Sequence, residues 1–242
     1  MMRTPIAGSV PVLVSVLVTF AAVAAHADLR EVDQKILEHN AAQARSALAG
    51  AGGSEAERLA AEGRILGLEK KYGEAEAKLR RAAEVAGADP AVWNHLGEVL
   101  ERAGNGAGAR DAFQRAADLA RQRVEGGGAD AHYQLGRALA GLRSFDGAVE
   151  HLRQAQAGAP LATYQLGVTR AAQESWQEAV DLLTQAIGAN SGIAYAYYYR
   201  GLAASKVGRK DLLINDLGRF LQLAPDAPEA PRVRRMLQSA RR

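Results

Sequence analysis

The chain has 242 residues, no cysteine and a formal net charge of +3, from 30 lysines and arginines against 27 aspartates and glutamates. Absence of cysteine excludes disulfides, thiolate metal sites and cysteine nucleophiles. Near-balance of charge argues against a nucleic-acid partner.

Residues 1–27 read as a secretory signal. Arg3 supplies the positive start, the run from Ile6 to Ala25 carries no charge, and Ala25-His26-Ala27 is a small-residue cleavage site. Cleavage after Ala27 would leave Asp28 first and a net charge of +2, from 29 basic and 27 acidic residues. The uncharged run is also long enough to remain as a membrane anchor. Either outcome predicts an exported body, periplasmic or secreted, or anchored in the inner membrane and facing the periplasm. The signal form and the alanine- and glycine-rich usage suggest a bacterium. Residues 28–55 predict an N-terminal helix and a Gly-rich loop. Leu29, Val32, Ile36, Ala44 and Leu48 share one helix face, and Gly50 to Gly53 end it. This helix is expected to cover the unit that follows, or to be half of a degenerate further repeat.

From there a fixed period governs the chain. Gly63, Gly97, Gly136, Gly167 and Gly201 lie 34, 39, 31 and 34 residues apart. Twelve residues after each glycine come Ala75, Ala109, Ala148, Ala179 and then Leu213. Four further on come Leu79, Phe113, Leu152, Leu183 and Leu217, and three beyond those Ala82, Ala116, Ala155, Ala186 and then Phe220. A phase-locked period in the thirties predicts stacked supersecondary units, hence a solenoid. A turn is expected near Lys71-Tyr72-Gly73, Gly104-Asn105-Gly106, Arg143-Ser144-Phe145, Glu174-Ser175-Trp176 and Val207-Gly208-Arg209. A glycine inside a helix costs roughly 1 kcal/mol relative to alanine. Its repetition therefore predicts close approach of a second helix. In the last unit, the larger Leu213 and Phe220 should open the helix pair. The 39-residue step contains Gly126-Gly127-Gly128 and should lengthen a helix and its following loop.

Trp93-x-x-Leu96-Gly97 followed by Ala109-x-x-x-Phe113-x-x-Ala116 resembles the tetratricopeptide repeat. So do Tyr133-x-Leu135-Gly136 with Phe145, Ala148, Leu152, Ala155 and Pro160, and Leu166-Gly167 with Trp176, Ala179, Leu183 and Ala186. The resemblance implies an all-α, right-handed α-solenoid of about five helix-turn-helix repeats, at 56–89, 90–128, 129–159, 160–193 and 194–227, with a C-terminal capping helix over 228–242. It departs at Pro90, three residues late, and at Leu213 and Phe220.

In that family the first helix of each repeat lines the concave face. Two positions per repeat would then point into a groove: Ala60 and Arg64, Asn94 and Glu98, Tyr133 and Arg137, Tyr164 and Val168, Tyr198 and Leu202, with Tyr195 and Ser205 extending the series. Tyr133, Tyr164 and Tyr198 would form a ladder suited to peptide capture, although stacking within the array would explain them equally well. The lysine–asparagine carboxylate clamp of chaperone-type members has no lysine here to build it.

No catalytic constellation is visible. His39, His95, His132 and His151 form no H-E-x-x-H pair, and His132 reads as a packed core residue. Gly104-x-Gly106-x-Gly108 lacks the phosphate-loop lysine. The expectation is a non-enzymatic adaptor without cofactor or metal that binds another protein's peptide or helix in the groove. One alternative is a structural subunit of a cell-envelope assembly using its convex face or ends; an enzyme or small-ligand carrier has the least support. At the C-terminus, Val233, Met236 and Leu237 are flanked by Arg232, Arg234, Arg235, Arg241 and Arg242. This segment should cap the array, with homo-oligomerisation through the ends or a basic docking site as further readings.

Overall fold

A computed structural model describes residues 29–240, and the signal-like segment 1–27 lies outside them. The described residues form thirteen helices and no strand. Helix α1 covers 29–37, and α2 spans Ala41–Gly50. Five antiparallel hairpins follow. They are α3 (Glu55–Leu68) with α4 (Tyr72–Ala86), α5 (Pro90–Arg102) with α6 (Gly106–Val124), α7 (Ala129–Gly141) with α8 (Phe145–Ala155), α9 (Ala162–Ala172) with α10 (Trp176–Ala189), and α11 (Ala194–Lys206) with α12 (Lys210–Leu223). Helix α13 (Ala230–Ala240) closes the array.

Local chemistry sets the helix starts. Ser54 and Glu57 form a reciprocal capping box at α3. Asp89 caps α5 with Pro90 in its first turn, and Asn105 accepts from the Gly108 amide at α6. All five hairpins reverse by one turn geometry. Lys70, Gly104, Arg143, Glu174 and Gly208 have positive φ, at 62°, 81°, 64°, 62° and 80°. The next residue's amide then donates back to the preceding helix, as from Lys71 to Leu66 O and from Ser144 to Leu139 O. Three of the five left-handed positions are not glycine, so helix packing imposes this turn even where the side chain resists it.

The repeated glycine is explained by its neighbour. A Cβ on Gly63, Gly136 or Gly167 would stand 2.6, 2.6 or 2.8 Å from the Cγ of Leu79, Leu152 or Leu183. On Gly97 it would meet the Phe113 ring at 2.6 Å, and Gly141 presses the same ring from the next hairpin at 2.6 Å. Phe113 therefore fills space that two hairpins have vacated. In the fifth hairpin a Cβ on Gly201 would lie 3.2 Å from Asp216 Cβ and 3.4 Å from Leu217, the looser seam expected from the larger residues around it. Here a bidentate ion pair joins the two helices, with Arg200 donating to both oxygens of Asp216 at 2.8 and 2.7 Å. The long step between the second and third glycines takes the form of the 19-residue α6 and a glycine turn in which Gly127 has φ 77°.

A candidate binding chamber

The first helices α3, α5, α7, α9 and α11 line a chamber of about 1430 Å³. Ala60, Arg64, Glu98, Tyr133, Arg137, Tyr164, Val168, Tyr195 and Leu202 all border it, as the repeat register predicts. Three expected residues do not. Asn94 is fully buried, and its Nδ2 donates to Gln134 O at 2.9 Å and to Gln134 Oε1 at 3.1 Å, tying α5 to α7. Tyr198 is 6% exposed and packs on Phe220, with ring centres 5.2 Å apart. Ser205 borders a separate groove at the C-terminal end. The reason is rotation. Three residues before the glycine faces the chamber in the third and fourth hairpins, but in the second and fifth the next residue does so instead. His95 and Tyr199 are those residues. Tyr199 lies four residues after Tyr195, on the same helix face, which was its available signal.

One wall is polar. Arg137 donates to Glu98 Oε1 at 2.5 Å and to Gln134 Oε1 at 3.2 Å, and its guanidinium lies 5.6 Å from the centre of the Tyr133 ring. His95 Nδ1 sits 3.4 Å from Glu98 Oε2 and 3.2 Å from Arg137 Nη2. Burial lowers the His95 pKa to about 4, helped by the nearby Arg64 and Arg137 cations and opposed by Glu98, so the ring is neutral. Burial alone would raise the Glu98 pKa, but Arg137 and His95 outweigh it and hold the carboxyl well below its usual range. The Glu98 side chain is 46% exposed, and that exposure is to the chamber.

The other wall is aromatic. The Tyr195 hydroxyl donates to Glu229 Oε2 at 2.6 Å, reaching the segment before α13. The Arg102 guanidinium, from α5, lies 5.8 Å from the centre of the Tyr195 ring on α11. The second and fifth hairpins therefore meet across the concave side. Tyr164 and Tyr199 border the same space; burial raises both pKa values, to about 12 for Tyr199, so both phenols stay protonated. The hydroxyls of Tyr133, Tyr164 and Tyr199 have no hydrogen bond to a described residue.

The N-terminal segment bridges these walls. Val32 is buried with Ala44 against Ala61 and Ile65 of α3. Asp33 pairs with Arg64. Gln34 Oε1 accepts from Asn190 Nδ2 at 3.0 Å, in the loop before α11, and the His39 ring lies 5.5 Å from that of Tyr195. The single helix expected from Leu29 to Leu48 is two, α1 and α2, broken where His39 takes a positive φ of 56°, and together they cover the first hairpin. Helix α1 also straps the first hairpin to the fifth, a contact across 156 residues that no local pattern announces. Among the described residues, no group of three His, Cys, Asp or Glu side chains could hold a metal ion. No described helix is long and apolar enough to cross a membrane.

Stacked hairpins around a concave chamber define a helical-repeat scaffold. Residues 89–160 match the profile of the tetratricopeptide repeat, and the match covers the second and third hairpins. Residues 89–160 are therefore tetratricopeptide repeats, and the same hairpin is built five times along the described residues. No curated protein sequence matches it. Among solved structures it is similar to TTC0263, a thermophilic tetratricopeptide repeat protein of Thermus thermophilus, at 17% identity and a TM-score of 0.57, over 76% of this chain and 98% of that one. It is also similar to YrrB, described as a tetratricopeptide repeat protein with an unusual peptide-binding site, at 20% identity and a TM-score of 0.42, over 74% and 91% of the two chains. A chain of the APC/C hetero-tetramer Cut9–Hcn1 matches at 16% identity and a TM-score of 0.43, over 77% of this chain but only 42% of its own length. At these identities the likeness speaks to fold alone.

Proposed function

We propose that this protein is an exported, non-enzymatic adaptor, periplasmic in a bacterium, that holds a peptide or helical segment of another protein in the chamber. One observation carries the reading: Tyr133, Tyr164 and Tyr199 border a preformed space beside the apolar Val168 and Leu202, and their hydroxyls have no hydrogen bond to a described residue. Tyrosine gives large contact area at low conformational cost, and a rigid receptor loses little entropy on binding. Arg137 and Glu98 neutralise one another on the polar wall beside Tyr133, so that wall offers orientation more than net charge. Export rests on the signal-like features of residues 1–27.

The test is a crosslinking pull-down from the native envelope fraction, with wild type beside a Tyr133→Ala/Tyr164→Ala/Tyr199→Ala variant and a Tyr198→Ala control. Groove capture predicts loss of the partner in the triple variant and retention in the control, provided both remain helical. Retention by the triple variant would favour an assembly subunit that uses its convex face or its ends.

A further inference from the structure

A second groove, of about 620 Å³, lies at the C-terminal end, where the last turn of α11, the start of α12 and α13 converge. Leu213, Met236 and Ala240 supply its apolar part, and Lys210, Arg232 and Arg235 flank it. Leu213 is buried, whereas the three cations are exposed. The first turn of α12 has no side-chain cap and carries Asp211 beside Lys210.

These cations differ from most others in the molecule. Arg45, Arg64, Lys78, Arg137 and Arg200 each have a carboxylate partner. Lys210, Arg232 and Arg235 have none among the described residues. Among the described residues, 205–240 contain seven lysines and arginines but four aspartates and glutamates, a net charge of +3, whereas 29–204 contain 20 and 22, a net of −2. Two of those four carboxylates are already engaged, Asp216 by Arg200 and Glu229 by Tyr195. The end of the array is therefore a cationic rim around a recessed apolar floor.

We propose that this groove docks an acidic segment of a partner protein, in which an apolar side chain enters between Leu213 and Met236 while flanking carboxylates meet Lys210, Arg232 and Arg235. Charge complementarity selects the acidic partner. Recession of the apolar floor selects a peptide over a lipid surface, because a bilayer needs apolar side chains that protrude beyond the charges. No aromatic residue lines the groove, so it offers no platform on which nucleobases could stack. The site is separate from the chamber and stands or falls without it.

Fluorescence anisotropy on the full chain tests the proposal. The probe is a labelled peptide of two leucines flanked on each side by two glutamates; its comparators replace the leucines with glutamate or the glutamates with lysine. The leucine–glutamate peptide should bind roughly tenfold tighter than either comparator, and weaken as salt rises. Arg232→Glu/Arg235→Glu should lose that affinity, while Tyr133→Ala/Tyr164→Ala/Tyr199→Ala should keep it. Unchanged circular dichroism in the charge-reversed variant would show that lost binding is not lost fold. Four results would overturn the proposal. They are equal binding by the charge-reversed variant, equal binding of the all-glutamate peptide, tighter association with phosphatidylglycerol vesicles than with the peptide, or concentration-dependent self-association that the charge reversal abolishes.

Discussion

The first four hairpins and the fifth solve the same packing problem by different means. In the first four, a glycine removes a side chain so that a leucine or phenylalanine sixteen residues later can occupy its place, leaving 2.6–2.8 Å where a Cβ would go. In the fifth, the corresponding contact, to Leu217, opens to 3.4 Å, and the interface is held instead by the Arg200–Asp216 pair and by Tyr195 and Tyr198 against Phe220. Repetition therefore conserves the spacing of helices more strictly than the means of filling it. The apolar seams tolerate no added atom, whereas the polar seam tolerates no lost partner.

The largest effect should come from filling a tight seam. Gly136→Leu forces a branched side chain into the space of Leu152 and should cost more than about 4 kcal/mol, enough to unfold a marginal array. Ala157→Leu, at an exposed turn, should stay within about 0.5 kcal/mol. Thermal midpoints compare the two, and equal losses would contradict the packing described for the seam. Next comes Asp216→Ala. It strands the Arg200 guanidinium, whose side chain is 12% exposed, and should cost about 3–5 kcal/mol. Hydrogen exchange should then show α11 and α12 opening before α5 to α8, whereas uniform opening would mean that the fifth hairpin has no separate seam.

Acid should act on the second hairpin. His95 has a folded pKa of about 4 against 6.5 unfolded, so the unfolded chain binds the proton more readily. The stability it contributes is complete above pH 6.5 and declines as pH falls toward 4, by up to about 3 kcal/mol at that limit. Arg64, Arg137 and Glu98 face the ring and shape this response. His95→Gln should flatten denaturant midpoints measured between pH 7 and 4. An unchanged slope would assign the acid response to other groups, such as His39, whose pKa burial also lowers to about 4, with Arg102 adding to the fall.

Most of this architecture was legible in the sequence because it is periodic. Each seam needs a glycine and a large apolar residue at one spacing, and the looser fifth seam was foreshadowed by Leu213 and Phe220. The chamber was legible at the residue after each glycine, where Arg64, Glu98, Arg137, Val168 and Leu202 all border it. Three residues before the glycine the rule failed at Asn94 and Tyr198, because a change of one residue in helix facing, about 100°, decides between chamber and core. Nothing periodic encodes the strap. Its contacts depend on curvature accumulated over all five hairpins, which brings Gln34 to Asn190 and Arg102 to Tyr195.

The smallest effect is the most discriminating. Gly201→Ala places its methyl 3.2 Å from Asp216 Cβ, a contact relieved by a shift of a few tenths of an ångström. Against that strain stands the gain of replacing a mid-helix glycine by alanine, roughly 1 kcal/mol. The two should nearly cancel, leaving stability within about 1 kcal/mol of wild type. Gly136→Ala receives the same propensity gain but meets Leu152 Cγ at 2.6 Å, so overpacking should prevail, with a net loss of about 1–2 kcal/mol. Measured side by side in urea, the pair isolates the seam from the propensity common to both sites. Equal losses would show that the two seams are alike after all and that the bulk of Leu213 and Phe220 does not loosen the last hairpin.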